Sequence, residues 1–357
     1  MKNLIDEAKH SLFHEGEIAM QRSVGMAERM EHIGTKVVRD FMPDQHRDFY
    51  ARLPFIVVAT VDDAGHVWPT MLTGQPGFIS SSTPTSLAIN AQPQSADPAA
   101  NGAQSGAAIG MLGIELHTRR RNRMNGEIKS SANGSMEVEV GHAFGNCPQY
   151  IQLRDFAFSH DADQSSLASV EESRELTEDA RAIISTADTF FVASYVDRDH
   201  ERQVDVSHRG GKPGFVRTGD DGLLTIPDFS GNFHFNTLGN FVINPRAGLL
   251  FVDFETGDIL QITGTARVIT DSLEIDAFEG AERIWTFRPS RVVLRREASA
   301  LRWKMRENAF SAKSLRTGSW EDVASRLDYD RSSYSNNIEK LQRNSELSFG
   351  AAREIET

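Results

Sequence analysis

The chain has 357 residues, enough for two domains, and its 39% hydrophobic and 25% charged residues are typical of a soluble globular protein. Its formal net charge of −12 argues against nucleic-acid and anionic-membrane partners, because both favour an excess of Lys and Arg. The single cysteine, Cys147, excludes an intrachain disulfide, an iron–sulfur cluster and a multi-cysteine zinc site within this chain.

The sequence carries no signal for membrane insertion or export. No apolar run reaches the roughly 18 residues that a membrane-spanning helix needs. The first 20 residues carry several acidic side chains and lack the apolar core of a signal peptide. We therefore expect a cytoplasmic protein without a membrane partner.

Residues 1–49 form a predicted N-terminal helical segment. Apolar residues recur there at three- and four-residue spacing, with charged residues between them: Met20, Val24, Met26, Met30 and Ile33. Such a stripe is typical of a helix that packs its apolar face against the body of a domain. We expect it to cover a barrel formed by the residues that follow.

Two parts of the chain resemble each other at a spacing near 137 residues. Residues 54–79 are similar to 189–216, and residues 108–128 are similar to 247–267. Matching positions lie 135 to 138 residues apart in the pairs Val61 and Val196, Pro76 and Pro213, Gly110 and Gly248, and Gly126 and Gly264. A period of this length indicates a duplicated domain rather than a solenoid repeat.

Each copy alternates apolar and polar residues in short runs separated by Gly, Pro, Asn and Asp, which predicts an antiparallel barrel. We expect a first domain over 50–155, a linker and helix over 156–180, a second domain over 181–310 and a C-terminal helical tail over 311–357. The copies differ most at 89–108, which is rich in Ala, Gln, Ser and Pro and is predicted to be a mobile surface loop.

A strand that ends at Ser207 forms the first candidate site. Ser207, His208 and Arg209 are followed by two glycines, Gly210 and Gly211. Backbone N–H groups that glycine leaves accessible form an anion-binding concavity, and an arginine can bind a phosphate through two parallel hydrogen bonds. The alternative is a tight turn whose basic side chains are solvated.

The second candidate is the polar stretch that fills the place of the 89–108 loop in the second copy. It offers carboxylate, hydroxyl and amide groups at Asp228, Ser230, Asn232, Asn236, Thr237 and Asn240. These groups suit a ligand with many hydrogen-bonding edges, such as a ring carbonyl, a ribityl chain or a phosphate. The alternative is a loop capped by its own Asn and Ser side chains.

A run of arginines in the first copy forms the third candidate. Arg119, Arg121 and Arg123 share one face if the run is a strand. Like charges this close need anions to offset them, either carboxylates of the other domain or a ligand phosphate. A charged outer face is the usual explanation, but the corresponding stretch of the second copy has no basic residue, which favours a function.

The remaining reactive side chains, at Cys147 and His142, do not indicate a further site. Cys147 has no flanking His and Asp that would support a nucleophile, so a structural cysteine is the favoured interpretation. His142 lacks metal-ligand spacing to another His or carboxylate, so we predict no metal site. No residue is assigned a catalytic role.

Several of these strings resemble the pyridoxine/pyridoxamine 5′-phosphate oxidase-like superfamily of FMN-binding split barrels. The strings VSHRGGKPGFV, IPDFSGN, FNTLGN and NPRAGLLFVDFETGD are similar to pyridoxamine 5′-phosphate oxidase-related, FMN-binding proteins. The strings MPDQHR, GIELHTRRRNRMNG and FGNCPQYIQ resemble a tandem form of that group. The resemblance covers about residues 10–310. It implies a mainly β protein with flanking helices (α+β), in which two tandem split β-barrels form an intrachain pseudo-dimer.

The resemblance also implies FMN as the cofactor. It places the phosphate, ribityl and ring contacts on the first two candidate sites, at Ser207, His208, Arg209, Gly210, Asp228, Ser230, Asn232, Asn236, Thr237 and Asn240. Because such barrels bind FMN across a dimer interface, Arg119, Arg121 and Arg123 of the first copy are expected to reach the flavin held by the second. Relatives commonly carry basic residues after Ser-Gly-Asn, where this chain has Phe233 and His234.

The activity that the resemblance implies is that of an FMN-dependent oxidoreductase with an unidentified small-molecule substrate. The electron donor would be NAD(P)H or a reductase partner, and family habit suggests a homodimer. Two alternatives stay open. One is a flavin-binding or redox-partner module without turnover, and the other is a split barrel that binds haem or another anionic ligand.

Overall fold

The computed structural model describes residues 11–145, 147–159, 169–199 and 201–328. Parts of the predicted N-terminal segment, linker and tail lie outside the described residues, at 1–10, 160–168 and 329–357. The described chain is mostly β-structure in antiparallel sheets, with a few short helices.

Three helices open the described chain: α1 (Glu15–Ser23), α2 (Ala27–Val37) and α3 (Asp44–Ala51). A capping box begins α1, because the His14 imidazole accepts the Gly16 N–H while the Glu17 carboxylate accepts the His14 N–H. Gly25, with φ of +69°, lies between α1 and α2, so the predicted apolar stripe is divided between two helices. Within that stripe, Met20 and Met30 are buried.

The first sheet is built from seven strands: β1 (Phe55–Val61), β2 (Val67–Thr73), β3 (Ile79–Ser80), β4 (Ser86–Ile89), β5 (Ala108–Glu115), β6 (Arg120–Ala132) and β7 (Ser135–Gly145). Their order is β2-β1-β5-β6-β7-β4-β3. All of the pairings are antiparallel, and the β6–β7 register shifts between Asn125 and Gly126.

The rest of the described chain adds ten strands: β8 (Arg154–Phe158), β9 (Val170–Ser173), β10 (Thr189–Arg198), β11 (Glu201–Gly210), β12 (Arg217–Thr218), β13 (Leu224–Phe229), β14 (Arg246–Val252), β15 (Ile259–Ile269), β16 (Ala281–Arg295) and β17 (Leu301–Met305). It also adds four helices: α4 (Glu178–Thr186), α5 (Asn236–Ile243), α6 (Leu273–Ala277) and α7 (Ala312–Leu315). A further helical stretch spans 320–328, within the predicted tail.

The second sheet has the order β11-β10-β14-β15-β16-β13-β12, which repeats the order of the first sheet strand for strand. Its β15–β16 register shifts between Thr263 and Gly264, the same place in the ladder as the shift between Asn125 and Gly126 in the first sheet. Two pairings lie outside this pattern. Strand β9, inside the predicted linker, pairs with β16, and β8 pairs with β17. We call residues 55–145 the first half and residues 189–295 the second half.

Three apolar clusters make up most of the buried core. One fills the first half around Ile56, Val58 and Met124, and another fills the second half around Val192 and Trp285. The second-half cluster includes Met20 of α1, so α1 covers the second half. The third cluster lies between the halves, because it joins β1, β2 and β5 to β10, β11 and β14. Successive residues of β1 and β10 therefore point in turn into the core of their own half and towards the other half.

Residues 89–108 differ from the mobile surface loop that their composition predicted. They contain a 3₁₀ turn over Pro98–Gly102, and Asp97, Ala99 and Ala103 are buried. The physical reason is a buried ion pair, with Arg295 of the second half 2.7 Å from the Asp97 carboxylate. Short Ala, Gly and Ser side chains are typical of a loop, but here they allow the backbone to pack closely. None of the described helices is long and apolar enough to cross a membrane.

Candidate functional site

A cavity opens where the end of β11 meets β6 of the other half. Its empty volume, including the open mouth, is about 930 Å³. The second half contributes the ends of β11 and β13, the connection 230–235 and the first turn of α5. The first half contributes Arg121 and Arg123 from β6, and the segment after β7 contributes Cys147, Gln149 and Tyr150.

Most of the residues proposed from the sequence lie around this cavity: Ser207, His208, Arg209, Gly210, Asp228, Ser230, Asn232, Asn236, Thr237, Arg121 and Arg123. The first and second candidate stretches therefore form one site with part of the third. β11 and β13 lie towards opposite ends of the strand order of the second sheet, yet the last residues of both strands line this cavity together with β6 of the first half. Arg119 and Asn240 are the two proposed residues that do not line the cavity.

Arg119 is held away from the cavity by backbone contacts. It adopts φ of +63° in the turn before β6, so it does not share a strand face with Arg121 and Arg123. Its guanidinium donates hydrogen bonds of 2.8 Å to the carbonyl oxygens of Ile151 and Ala309. These contacts give Arg119 a structural position at the side of the molecule.

Four guanidinium groups surround the cavity, from Arg121, Arg123, Arg209 and Arg283. Among the described residues, one carboxylate lines it, that of Asp228, which accepts a 3.1 Å hydrogen bond from Arg283 and lies 3.8 Å from Arg209. Arg121 donates to the Cys147 carbonyl oxygen at 2.8 Å and has no ion pair within the described ranges. The cavity wall therefore carries an excess of positive charge.

The burial of these arginines is energetically costly. Burial is the main cause that lowers the pKa of Arg121, and the neighbouring charges of Arg209 and Arg123 lower it further. Burial likewise lowers the pKa of Arg209, with an opposing effect from Asp228. An anion bound among these groups would offset both the desolvation and the mutual repulsion of the cations.

Several buried side-chain nitrogen atoms at this site have no hydrogen-bond partner among the described residues. They are His208 Nε2, Arg209 Nε and Arg123 Nε. Burial, followed by the charges of Arg121 and Arg209, holds the pKa of His208 well below its usual range, so the imidazole is neutral at pH 7. Because a buried polar atom without a partner costs free energy, these atoms favour a ligand with oxygen or nitrogen acceptors.

Aromatic rings form much of the remaining wall. The rings of Tyr150 and Phe229 stack with centroids 5.2 Å apart, and those of Phe233 and Phe235 meet edge to face at 6.3 Å. The Arg283 guanidinium lies 4.8 Å from the Phe235 ring centroid. Tyr150, Phe233 and Phe235 all have φ near +60°, a conformation that is uncommon for aromatic residues and clusters at ligand sites.

The Ser207 hydroxyl joins the two halves at the floor of the site. It accepts a hydrogen bond from Arg123 of β6 and another, 2.8 Å long, from the Thr237 hydroxyl of α5. Arg123 also lies 3.4 Å from the Asp205 carboxylate. Asp205 further accepts 2.9 Å hydrogen bonds from the amides of Asn125 and Asn240.

Asn240 belongs to this supporting network behind the cavity. It is fully buried, its oxygen lies 2.8 Å from the His14 Nε2, and its amide also donates to the Ser194 hydroxyl. Asn236 lines the cavity, but its amide donates to Glu17 of α1. Helix α1 thus supports the helix that carries Asn236 and Thr237.

Helices α1 and α5 cross at two glycines. A Cβ added at Gly16 would lie 2.2 Å from the Gly239 carbonyl oxygen, and one added at Gly239 would lie 2.7 Å from Glu17 backbone atoms. Only glycine allows this approach at both positions. The close crossing brings Glu17 within reach of Asn236.

Sequence reasoning missed Arg283, Asp205, Glu17 and Tyr150. Arg283 lies directly opposite Asp228 in the β13–β16 ladder, a pairing that no local pattern reveals. Asp205 had a visible signal, since it is a carboxylate between two valines. No group of three or more His, Cys, Asp or Glu side chains suited to a metal ion occurs in the part of the chain that the structure describes.

Comparison with known proteins gives only distant structural likeness. No family model matches the chain, and no curated protein matches it. A HupZ variant from Group A Streptococcus is 16% identical over 33% of this chain and 98% of its own, with a TM-score of 0.27. A FAD-binding protein from Mesorhizobium loti is 12% identical over 36% of this chain and 97% of its own, with a TM-score of 0.25. A general stress protein 26-related protein of the pyridoxinephosphate oxidase family from Clostridium acetobutylicum is 12% identical over 37% and 95%, with a TM-score of 0.24.

Proposed function

We propose that the cavity binds FMN and that the protein is an FMN-dependent oxidoreductase of the pyridoxamine 5′-phosphate oxidase-like kind. One observation carries this proposal: four arginines from both halves surround a single carboxylate in a cavity walled by aromatic rings. A planar aromatic ligand with an anionic tail matches both features. The unpartnered nitrogen atoms of His208, Arg209 and Arg123 fit the same ligand.

The chain's own residues divide between the two ends of such a ligand. Arg121 and Arg209 are the residues we assign to the phosphate, because they are the lining arginines least neutralised by a carboxylate. Tyr150 and Phe229 are assigned to the ring system, whose flat face suits their stacked pair. Ser230 and Asn232, on the connection after β13, are assigned to the polar edges of the ligand.

We further propose that the two halves are tandem split barrels that form a pseudo-dimer within one chain. The identical strand order of the two sheets and the matching register shifts support a duplication. The apolar cluster between the halves supports a permanent contact. The predicted homodimer is not needed to complete the cavity, because both walls come from one chain.

FMN supplies hydride and electron transfer when it is bound, and the protein supplies binding and orientation. In this proposal the arginines hold the anionic end, the aromatic wall excludes water, and neutral His208 offers an uncharged ring nitrogen to the ligand. NAD(P)H or a reductase partner is the proposed electron donor, with a small organic molecule as the acceptor. No side chain is assigned as a general acid or base.

The test is a titration of the full-length protein with FMN, followed by anaerobic addition of NADH or NADPH. Quenching of flavin fluorescence on binding, followed by loss of the oxidised flavin bands, supports the oxidoreductase. Binding without reduction by either nucleotide supports a flavin-binding module or one that needs a reductase partner. Absence of FMN binding would refute the proposal.

A further inference from the structure

The duplicated sheets define a second position equivalent to the cavity. In the second half, Ser207 lies opposite Val192 in the β10–β11 ladder. In the first half, Thr70 lies opposite Val58 in the β1–β2 ladder, and these strands hold the same places in their sheet. Thr70 is therefore the counterpart of Ser207, and both are buried hydroxyls.

The strands that reach the two positions from the opposite half, β6 and β15, are also equivalent. Arg123 lies opposite Leu112 in the β5–β6 ladder, and Gln261 lies opposite Leu250 in the β14–β15 ladder. Gln261 is therefore the counterpart of Arg123. As Arg123 reaches the strand of Ser207, so Gln261 reaches the strand of Thr70, with its amide 2.9 Å from the Pro69 carbonyl oxygen.

The segments that close the two positions are equivalent in the chain but different in structure. The connection between β13 and β14 carries α5, which borders the open cavity. The connection between β4 and β5 carries Asp97 and the turn Pro98–Gly102. Thr237 of α5 donates a hydrogen bond to Ser207, and Asp97 in the other connection accepts one from Thr70.

Both oxygens of the Asp97 carboxylate have bonding partners at the first-half position. Its carboxylate lies 2.7 Å from the Arg295 guanidinium and accepts 2.9 Å hydrogen bonds from the Gln261 amide and the Ala99 N–H. Arg295 in turn donates to the Gln261 oxygen at 2.9 Å and to the Thr70 hydroxyl at 3.2 Å. Asp97 and Arg295 are only 2% and 4% exposed, so solvent ions do not screen the pair.

Apolar side chains fill the space beside this ion pair. Trp68, Ala99 and Val293 form a separate buried cluster. By strand pairing, Trp68 is the counterpart of Asp205, and Val293 is the counterpart of Phe144. The place that the Asp205 carboxylate occupies in the second half is therefore filled by the Trp68 indole ring in the first half.

We propose that Asp97 is an internal anion that stands in for the ligand's anionic group and closes the first-half position, so that each chain holds one ligand. The inference rests on the proposed function for the identity of that ligand and extends it to stoichiometry. The carboxylate neutralises Arg295 as the ligand's anion would neutralise the arginines of the open cavity. Without Asp97, the buried guanidinium of Arg295 is left with only the neutral Gln261 and Thr70, and it becomes a site for a small carboxylate.

Two measurements on the full-length protein test the proposal. Titration with FMN is expected to saturate at one FMN per chain. Asp97→Ala is expected to lower Tm by on the order of 10 °C, since it leaves a buried charge without its partner. Sodium formate, compared with sodium chloride at equal ionic strength, is expected to restore most of that loss by binding beside Arg295.

Asp221→Ala is the control, because it removes the carboxylate of an exposed ion pair with Arg288 and should respond equally to both salts. If Asp97→Ala does not fold, Asp97→Ser also leaves room for formate beside Arg295 and is scored in the same way. Saturation at two FMN per chain, or formate that stabilises the Asp97 variant no more than it stabilises Asp221→Ala, would overturn the inference. The formate experiment needs no flavin. If the chain binds no FMN, the proposed function is refuted, and the formate experiment still tests the role of Asp97.

Discussion

Arg123 of the first half donates a hydrogen bond to Ser207 of the second half and lies 3.4 Å from the Asp205 carboxylate beside it. All three residues are buried. This contact connects the two sheets at the floor of the cavity, so the same residues that support the fold also place charge in the site.

Arg209→Met is expected to weaken FMN binding without unfolding the protein. The change removes a cation from the cavity wall, while Asp228 keeps its hydrogen bond from Arg283. A charged hydrogen bond is worth about 1.5–3 kcal/mol, so Kd should rise by roughly 10- to 100-fold. Flavin fluorescence titration measures the effect, with exposed Arg288→Met as the matched control. An unchanged Kd would remove Arg209 from the phosphate site.

Arg123→Met is expected to destabilise the whole chain. It leaves the buried Asp205 carboxylate with only the amides of Asn125 and Asn240. Removal of one partner of a buried ion pair costs about 3–5 kcal/mol, whereas the exposed pair lost in Arg288→Met is worth about 0–1 kcal/mol. Urea denaturation of both variants measures the difference. Equal midpoints would show that the contact between the halves contributes little to stability.

Glu17 is expected to make stability fall as the pH rises. Burial, reinforced by the Asp205 charge, raises the pKa of Glu17 from 4.5 to about 8. Between these values the folded chain keeps a proton that the unfolded chain has lost, so its stability falls by up to about 1.4 kcal/mol per pH unit. Glu17→Gln should remove this slope between pH 5 and 8 in urea denaturation. The same slope in both proteins would contradict the assignment.

His234 is expected to make the chain sensitive to acid. Its ring stacks on Phe144, neither ring nitrogen has a partner among the described residues, and burial followed by the Arg123 charge lowers its pKa to about 4. From pH 6.5 down to about 4 the unfolded chain takes up a proton that the folded chain does not, so stability falls as the pH falls.

His234→Leu has a similar volume and cannot titrate. The free energy of unfolding of this variant should therefore rise relative to that of the wild type as the pH is lowered from 7 to 5. Urea denaturation at several pH values measures this gain. A constant difference between the two proteins across that range would show that the imidazole does not carry the acid sensitivity.

Local patterns were sufficient to predict the strands and much of the cavity lining. The alternation around Ser207 and the turn residues after it are short-range features, and a strand end with glycines places its side chains at a sheet edge. The polar connection after Asp228 was also visible, because its composition does not suit a core strand. These two stretches belong to the same half, and both line the cavity.

Long-range partners decided what local patterns could not show. Asp97 lies in a stretch whose composition is typical of a mobile loop, and Arg295, nearly 200 residues later, makes it a buried one. Arg119 and Arg121 looked equivalent in the sequence, but the turn before β6 separates them. The steric need for glycine at positions 16 and 239 arises only where α1 crosses α5, so the sequence alone does not reveal it.

The most direct test of the flavin site is the visible spectrum of the purified protein, with chromatographic identification of any cofactor released by heat. We expect flavin absorbance and release of FMN, because the cavity combines an arginine cluster with an aromatic wall. A colourless protein that also fails to bind added FMN, or a Soret band in place of the flavin bands, would contradict it. Either result would reassign the arginines to another anionic ligand.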